Sequence, residues 1–313
     1  MSRDGLIQLL DNIPPPSVCC QGAMLLAAAC IFAVAALPRE VKHIMMDYGA
    51  REERPQTHQK GEAPQEYRLV RQLAAYTAVP HSWFSSYYYT SVAGLAFWAY
   101  QFLRHGRLMQ LLASRQASAG LPSMAMEQVC VTWGLMALQG TRRLLESWAL
   151  VKPSKSKMGV LHWLLGIAFY AGMSLSVWIE GSQAIREKQQ GLLNGTTAVP
   201  VKTMVAVPTF LLASVLQNGC HRYLSSLKKY SLPEKGLFRH IVCPHYTCEC
   251  VLYAALALGA APEGRLLNRT LLCALVFAAT NLGVTAKRTK DWYAAKFGPD
   301  KVAGKWAMIP FVF

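Results

Sequence analysis

Long stretches without charged residues are the feature of this sequence that most constrains its fold. Residues 20–37 contain no Asp, Glu, Lys or Arg, and neither do residues 73–103. A helix that crosses a lipid bilayer needs about 20 predominantly apolar residues, so each stretch is long enough to form one. Only 16% of the 313 residues are charged, whereas soluble domains carry about 25%. We therefore predict an all-α, polytopic membrane protein.

Seven segments are predicted to form transmembrane helices. The first could instead be a signal peptide, but no small-residue cleavage site follows it before Pro38, which favours a membrane anchor. The predicted spans are 18–37, 82–103, 125–149, 159–179, 199–217, 240–260 and 266–286. The Ser/Gly/Ala-rich segment 105–122 is predicted to be a loop.

The net charge of +15 raises the possibility of nucleic-acid binding, but its distribution indicates membrane topology instead. If the amino terminus is lumenal, 21 Lys and Arg residues fall in cytosolic segments and 8 in lumenal ones. This asymmetry follows the positive-inside rule, and we predict no nucleic-acid partner. Glycosylation sequons at Asn194 and Asn268 both fall in loops assigned to the lumen, which agrees with this orientation.

Motifs of the common soluble nucleotide-binding folds are missing from the sequence. No G-x-G-x-x-G follows a predicted strand, and neither a P-loop nor H-E-x-x-H occurs. Any nucleotide must therefore be bound by the helices themselves. Residues 243–250 contain ligand types for zinc, but structural zinc sites usually combine paired Cys knuckles with a second half elsewhere. We predict no metal site and no disulfide framework for the nine scattered cysteines.

Ionisable residues near the ends of the apolar helices are functional candidates, because charge is costly at membrane depth. Arg143 and Glu146 are three residues apart, so they lie on one helical face and can pair. An interfacial salt bridge that only anchors the helix is one interpretation of this pair. An arginine that faces a phosphate or ribose in a cytosolic cavity is the other.

Two further helices each present a polar pair at the same predicted depth. Gln217 and His221 are four residues apart, as are His245 and Glu249. Each pair alone could be an ordinary interfacial feature. Together with Arg143 they predict a polar, positively biased basin that suits an anionic dinucleotide above an apolar substrate. Further members of the predicted basin are Lys228, Tyr230, Arg288 and Tyr293.

At these positions the sequence resembles the steroid 5α-reductase family, in particular its polyprenol (polyprenal) reductase branch. The motifs that carry the resemblance are Arg142-Arg143-Leu-Leu-Glu146-Ser, Pro244-His245-Tyr246-Thr-Cys-Glu249, Trp292-Tyr293-x-x-Lys296-Phe297, the terminal Ile309-Pro310-Phe311-Val312-Phe313 and the branch stretch Val79–Tyr88. The resemblance implies an amino-terminal membrane region over residues 1–120, with two helices and a cytosolic loop. It implies a steroid-reductase-like catalytic region over residues 121–313.

The resemblance also implies an endoplasmic reticulum membrane protein with a cytosolic carboxy terminus and an NADPH site open to the cytosol. The residues implied to bind NADPH are Arg143, Glu146, Gln217, His221, Lys228, Tyr230, His245, Tyr246, Glu249 and Tyr293. Steroid-reducing members hold the steroid ketone with a glutamate and a tyrosine. Leu73 and Gly140 occupy those positions here, which argues against a steroid substrate.

We hypothesise that the chain reduces the α-isoprene double bond of polyprenal or polyprenol in dolichol biosynthesis. Hydride addition to a carbon–carbon double bond needs a site for the resulting charge. The aldehyde provides its carbonyl oxygen, whereas the allylic alcohol provides none. Tyr88 is the candidate proton donor, although an interfacial aromatic residue is an alternative interpretation.

Other functions remain possible at this point. The enzyme alternatives are a 3-oxo-Δ4-steroid or enoyl-thioester reductase and a membrane methyltransferase that uses S-adenosylmethionine. A seven-helix receptor or transporter is the non-enzyme alternative. The expected partners are a long-chain polyprenyl lipid and membrane lipids, with no obligate protein partner.

Overall fold

A computed structural model describes residues 13–37, 77–151, 156–192 and 198–313, and most of them are helical. Within these ranges two short strands pair antiparallel: β1 (Ala78–Pro80) and β2 (Lys157–Gly159). Single 3-10 turns cover His81–Ser85 and Gly236–Arg239. The α-helices are α1 (Pro16–Ala36), α2 (Ser86–Leu103), α3 (Arg107–Ala117), α4 (Met126–Ala149), α5 (Val160–Ile179), α6 (Ser182–Gln189), α7 (Val201–Ser226), α8 (Pro244–Gly259), α9 (Arg269–Phe297) and α10 (Asp300–Ala303).

Every predicted span overlaps one of the long helices α1, α2, α4, α5, α7, α8 and α9, although α7 and α9 extend about ten residues further. Four of these, α1, α5, α7 and α9, are long and apolar enough to cross a membrane. Helix α8 has only 16 residues, and α4 carries charged residues near its carboxyl end. The predicted all-α membrane architecture is confirmed as a multi-pass protein, and the count of seven spans stays a prediction.

Helix α3 lies where a loop was predicted between residues 105 and 122, so that prediction was wrong. Its buried residues, Met109, Ala113 and Gln116, recur at helical spacing and face the interior, and α3 packs against α6. Gln116 accepts a hydrogen bond from the backbone N–H of Ser17 at 2.9 Å, near the start of α1. The Ser/Gly/Ala composition concealed a real amphipathic helix.

The bundle end opposite the site described below is closed by buried polar side chains. Gln128 Nε2 donates to the carbonyl oxygens of Gly259 and Ala261 at 2.8 and 2.9 Å. Asn268 caps α9 by accepting from the N–H of Leu271 at 3.0 Å, and it is fully buried. Its sequon therefore does not provide an accessible glycosylation site in this fold. The other sequon, at Asn194, lies outside the described residues.

Strand pairing brings the starts of α2 and α5 to the same end of the bundle, and the two helices then run side by side. Glycine permits their close approach. A Cβ added at Gly166 would lie 2.5 Å from two ring carbons of Tyr87, and one added at Gly94 would lie 2.5 Å from Ser174 Oγ. Tyr87 itself is buried, so its ring has little freedom to move.

Gly166→Ala is therefore expected to destabilise the protein by about 1–3 kcal/mol, because overpacking forces side chains or helices to shift. Thermal unfolding in detergent micelles measures the change. Gly172→Ala is the matched control on the same helix, since nothing lies within 4 Å of a Cβ added there. Equal melting temperatures for the two variants would contradict the close packing of α2 on α5.

Candidate active site

Glu146 is the centre of a buried polar cluster between α4 and α7. It is only 6% exposed and pairs with the guanidinium groups of both Arg142 and Arg143. From α7, Asn218 Nδ2 donates to it at 2.5 Å, and His221 Nδ1 lies 2.7 Å from its Oε2. The predicted Arg143–Glu146 pair is confirmed. Its burial and its bonds to a second helix show that it is more than a surface anchor.

Arg143 extends the cluster to α2. Its Nη2 donates to the Tyr88 hydroxyl at 2.5 Å, and its guanidinium carbon lies 4.8 Å from the centre of that ring. Tyr88 is 3% exposed. Because the phenol oxygen accepts from Arg143, the phenol proton is free to be donated elsewhere.

Gln217 joins the cluster to α8. Its Nε2 donates to Glu249 Oε2 and to the carbonyl oxygen of His245, the latter at 3.2 Å. Its Oε1 accepts from Arg142 Nη2 and from Gln139 Nε2, the latter at 3.0 Å. One amide side chain thus connects the arginine–glutamate pairs of α4 with the carboxylate on α8.

The start of α8 is fixed by the carboxy-terminal segment. The backbone N–H groups of Val242 and Cys243 donate to the carbonyls of Trp306 and Ala307 at 2.8 and 3.0 Å. Thr247 Oγ1 donates to the carbonyl of Met308 at 2.5 Å. These bonds set the position of the helix turn that carries His245 and Glu249. The terminal segment is therefore part of the site's scaffold, a role that its apolar sequence did not reveal.

His245 lies beside the cluster, and one of its ring nitrogens is buried without a hydrogen-bond partner among the described residues. Its ring is 5.6 Å from that of His221 and 4.2 Å from that of Tyr246, measured between ring centres. Its Nδ1 is buried, and no hydrogen-bond partner for it occurs in the described part of the chain. Buried nitrogen atoms of this kind are rare, and a ligand group is one way to satisfy them.

Lys228, Tyr230 and Tyr293 are predicted site residues that lie apart from the hydrogen-bonded cluster. Lys228 is exposed. The Tyr230 ring is flanked by Lys229 Nζ at 4.8 Å and Lys296 Nζ at 5.1 Å, and it contacts Trp292. Tyr293 packs with the terminal segment in a small apolar group that also includes Tyr246. The predicted positive charge is therefore carried by Lys228, Lys229 and Lys296, which we call the charged rim. The buried cluster instead contains two arginines and two glutamates, so its charges balance.

Three residues of the cluster were not predicted as site residues. They are Gln139, Arg142 and Asn218, and each hydrogen-bonds to Glu146 or Gln217. A signal for two of them was present in the sequence. Gln139, Arg142, Arg143 and Glu146 follow the spacing i, i+3, i+4 and i+7, which places them on one face of α4. The side chain of Asn218 could be placed only once the packing of α4 on α7 was known.

The zinc alternative finds no support in this geometry. No group of three or more His, Cys, Asp or Glu side chains suited to a metal ion occurs within the described ranges. Cys243, Cys248 and Cys250 form no disulfide bond. Glu249 is engaged with Gln217 instead.

On its other side the cluster meets aromatic residues. The Tyr88 ring packs edge-on against Phe84 and Tyr170, with ring centres 5.8 Å apart in both cases. The Tyr170 ring packs edge-on against that of Phe169. The Phe169 ring in turn stacks on that of Phe277, with ring centres 4.5 Å apart. The site therefore has a charged rim, a buried polar middle and an aromatic interior.

Comparisons with known proteins show a family and several relatives to which the chain is similar. The family described as 3-oxo-5-alpha-steroid 4-dehydrogenase matches residues 156–313, half of the chain. A protein of Saccharomyces cerevisiae named polyprenal reductase is 34% identical over 172 residues, which are 55% of this chain and 60% of the yeast protein. Polyprenal reductase 2 of Oryza sativa subsp. indica is 25% identical over 285 residues, covering 75% of this chain and 79% of the rice protein. Polyprenal reductase of Caenorhabditis elegans is 22% identical over 218 residues.

Proposed function

This chain belongs to the steroid 5α-reductase (3-oxo-5-alpha-steroid 4-dehydrogenase) family, and we propose that it is an NADPH-dependent reductase that saturates the α-isoprene double bond of polyprenal. One observation carries the proposal: α2, α4, α7 and α8 contribute to a single hydrogen-bonded cluster at one end of the bundle. The cluster separates the charged rim from the aromatic interior. A phosphorylated reductant and a hydrocarbon substrate can therefore meet at its polar residues.

The residues on the charged side fit NADPH. His245 Nδ1 is buried and lacks a partner among the described residues, so a polar group of a ligand can bond to it. Lys228 is exposed, and Tyr230 offers an aromatic face between two lysines, which suits phosphate and adenine. When bound, NADPH supplies the hydride of the reduction. Its proposed binding residues are Arg143, Glu146, Gln217, His221, Lys228, Tyr230, His245, Tyr246, Glu249 and Tyr293.

The substrate proposal is supported by the names of the relatives and by one position in the packing. The matched region covers less than two thirds of the yeast relative, so its activity is transferred here only as a proposal. Gly140 stands where steroid-reducing members have a tyrosine. A Cβ added there would lie 2.9 Å from Ser91 Oγ on α2, so a tyrosine would require Ser91 and its surroundings to move. This favours polyprenal over a steroid ketone; Leu73 lies outside the described residues.

Tyr88 and Arg143 are the proposed residues for polarising the aldehyde. A hydride forms the new C–H bond at the β-carbon, the double-bond electrons move toward the carbonyl carbon, and negative charge develops on the oxygen. The Tyr88 hydroxyl, held by Arg143 at 2.5 Å, can donate its proton to that oxygen. A proton from water then adds to the α-carbon while the enol oxygen returns its proton to Tyr88, which restores the carbonyl and completes the net addition of one hydride and one proton.

Purified protein supplied with NADPH is expected to reduce polyprenal and to leave polyprenol unchanged. The reason is that only the aldehyde can carry the developing charge on an oxygen. Product analysis by mass spectrometry separates the two saturated compounds. Turnover of the alcohol in the absence of aldehyde would refute the aldehyde proposal. No NADPH binding at all would favour a receptor or transporter.

The remaining features of the proposal concern location and organisation. We place the protein in the endoplasmic reticulum membrane with seven spans and a cytosolic carboxy terminus. We also propose that the chain divides at residue 120 into an amino-terminal membrane region and a catalytic region. Tyr88 belongs to the first region, so the proposed active site needs both.

A further inference from the structure

Two tyrosines beside Tyr88, the buried Tyr253 and the partly buried Tyr170, have no role in the polar cluster. Tyr253 on α8 is 3% exposed, and Tyr170 on α5 packs edge-on against the Tyr88 ring. Among the residues that the structure describes, none hydrogen-bonds to either hydroxyl. A phenol used only for packing would be served equally well by phenylalanine. Neither oxygen is among the fully enclosed polar atoms, so an unpaired hydroxyl in these aromatic surroundings is open to a ligand that can bond to it.

Both hydroxyls belong to the proposed reaction centre by position. Tyr253 is one helical turn beyond Glu249 on the same face of α8. Long side chains on a helix lean toward its amino-terminal end, so the Tyr253 hydroxyl is directed back toward the turn of Glu249. The Tyr170 ring lies 5.8 Å from that of Tyr88, and the Phe169 ring contacts both Tyr170 and Tyr253.

The apolar neighbours of the two tyrosines indicate which kind of ligand would fit beside their hydroxyls. Phe169 contacts both, with its ring centre 5.5 Å from that of Tyr170 and 6.0 Å from that of Tyr253. Phe277 stacks on Phe169 from α9. This lining suits a branched hydrocarbon, and the hydroxyls are the polar groups that it presents to one. An oxygen at the end of an apolar chain would satisfy them and suit their aromatic surroundings.

We propose that Tyr170 and Tyr253 bind the carbonyl oxygen of the substrate by hydrogen bonds, next to Tyr88. This inference rests on the proposed function and deepens it. Two additional donors would orient the aldehyde for attack at its β-carbon and would stabilise the charge that develops on its oxygen. They would also distinguish an aldehyde from an equally long hydrocarbon.

The experiment compares Tyr170→Phe, Tyr253→Phe and the double variant with wild type. Each substitution removes one oxygen atom and keeps the ring, so the aromatic packing is retained. Each single variant is expected to lower kcat/KM for polyprenal about tenfold, and the double variant about 100-fold, with the Kd for NADPH unchanged. Tyr100→Phe is the matched control, because Tyr100 lies on the exposed side of α2 and is 59% exposed.

A second readout measures binding without chemistry. Inhibition or displacement assays on the NADP⁺-saturated protein compare a long-chain prenal with the matched hydrocarbon that lacks the aldehyde. Wild type should prefer the aldehyde, and the double variant should lose this preference.

The outcomes separate the two proposals. Turnover of polyprenal by wild type together with unaltered kinetics and binding preference in the double variant would overturn the tyrosine inference alone. Aldehyde-selective binding that depends on the two hydroxyls, without turnover, would overturn the reductase proposal alone. Neither turnover nor selective binding in wild type would overturn both.

Discussion

Glu146→Gln is expected to lower the free energy of unfolding by about 3–5 kcal/mol, the range found when one partner of a buried ion pair is removed. The substitution keeps the shape of the side chain but removes its charge. Arg142 and Arg143 would then lose the carboxylate that compensates both guanidinium groups. The side chain is only 6% exposed, so water cannot replace the lost interaction.

Thermal or denaturant unfolding in nanodiscs measures this loss, and NADPH titration of the folded fraction measures its effect on the proposed cofactor site. Asp291→Asn is the control, because Asp291 pairs with Lys287 in an exposed i,i+4 bridge. Exposed pairs contribute about 0–1 kcal/mol, so the control should unfold almost like wild type. A Glu146→Gln variant as stable as the control would mean that the buried network does not form in the membrane.

Much of this architecture follows from local sequence patterns. The long helices were predicted because apolar runs leave little alternative to a helix in lipid, where every backbone N–H and C=O must be paired internally. The pairing of Arg143 with Glu146 was predicted because their spacing alone brings them together. The convergence of α4, α7 and α8 at one depth was predicted from where each polar pair falls in its apolar segment.

Other features depend on contacts between distant residues and were not predicted. The link from Gln217 to Glu249 requires that α7 pack along α8 in one register. The terminal segment holds the start of α8 through backbone hydrogen bonds, which any sequence could make. Tyr170 lies within an apolar helix, where nothing local distinguishes a packing ring from a ring that presents a hydroxyl. Such roles become visible only when the hydrogen-bond partners of each buried group are known.

Tyr88→Phe is expected to lower kcat for polyprenal by about 10²–10⁴-fold, the contribution typical of a positioned general acid. The Tyr88 oxygen accepts from Arg143, which leaves its proton directed elsewhere. Removing the hydroxyl abolishes that donor while leaving the ring, with its edge contacts to Phe84 and Tyr170, in place. Arg143 keeps its pairing with Glu146, so the charge balance of the cluster is retained.

The prediction separates chemistry from structure because different measurements report on each. Single-turnover kinetics with enzyme in excess should show the loss in the reduction step, and NADPH affinity and melting temperature should stay close to those of wild type. Tyr100→Phe again provides the control on the same helix, since Tyr100 faces outward. Equal loss of NADPH affinity and kcat would instead assign Tyr88 to the support of Arg143. Full activity of Tyr88→Phe would leave the developing negative charge to Tyr170 and Tyr253, and the tyrosine double variant would then be inactive.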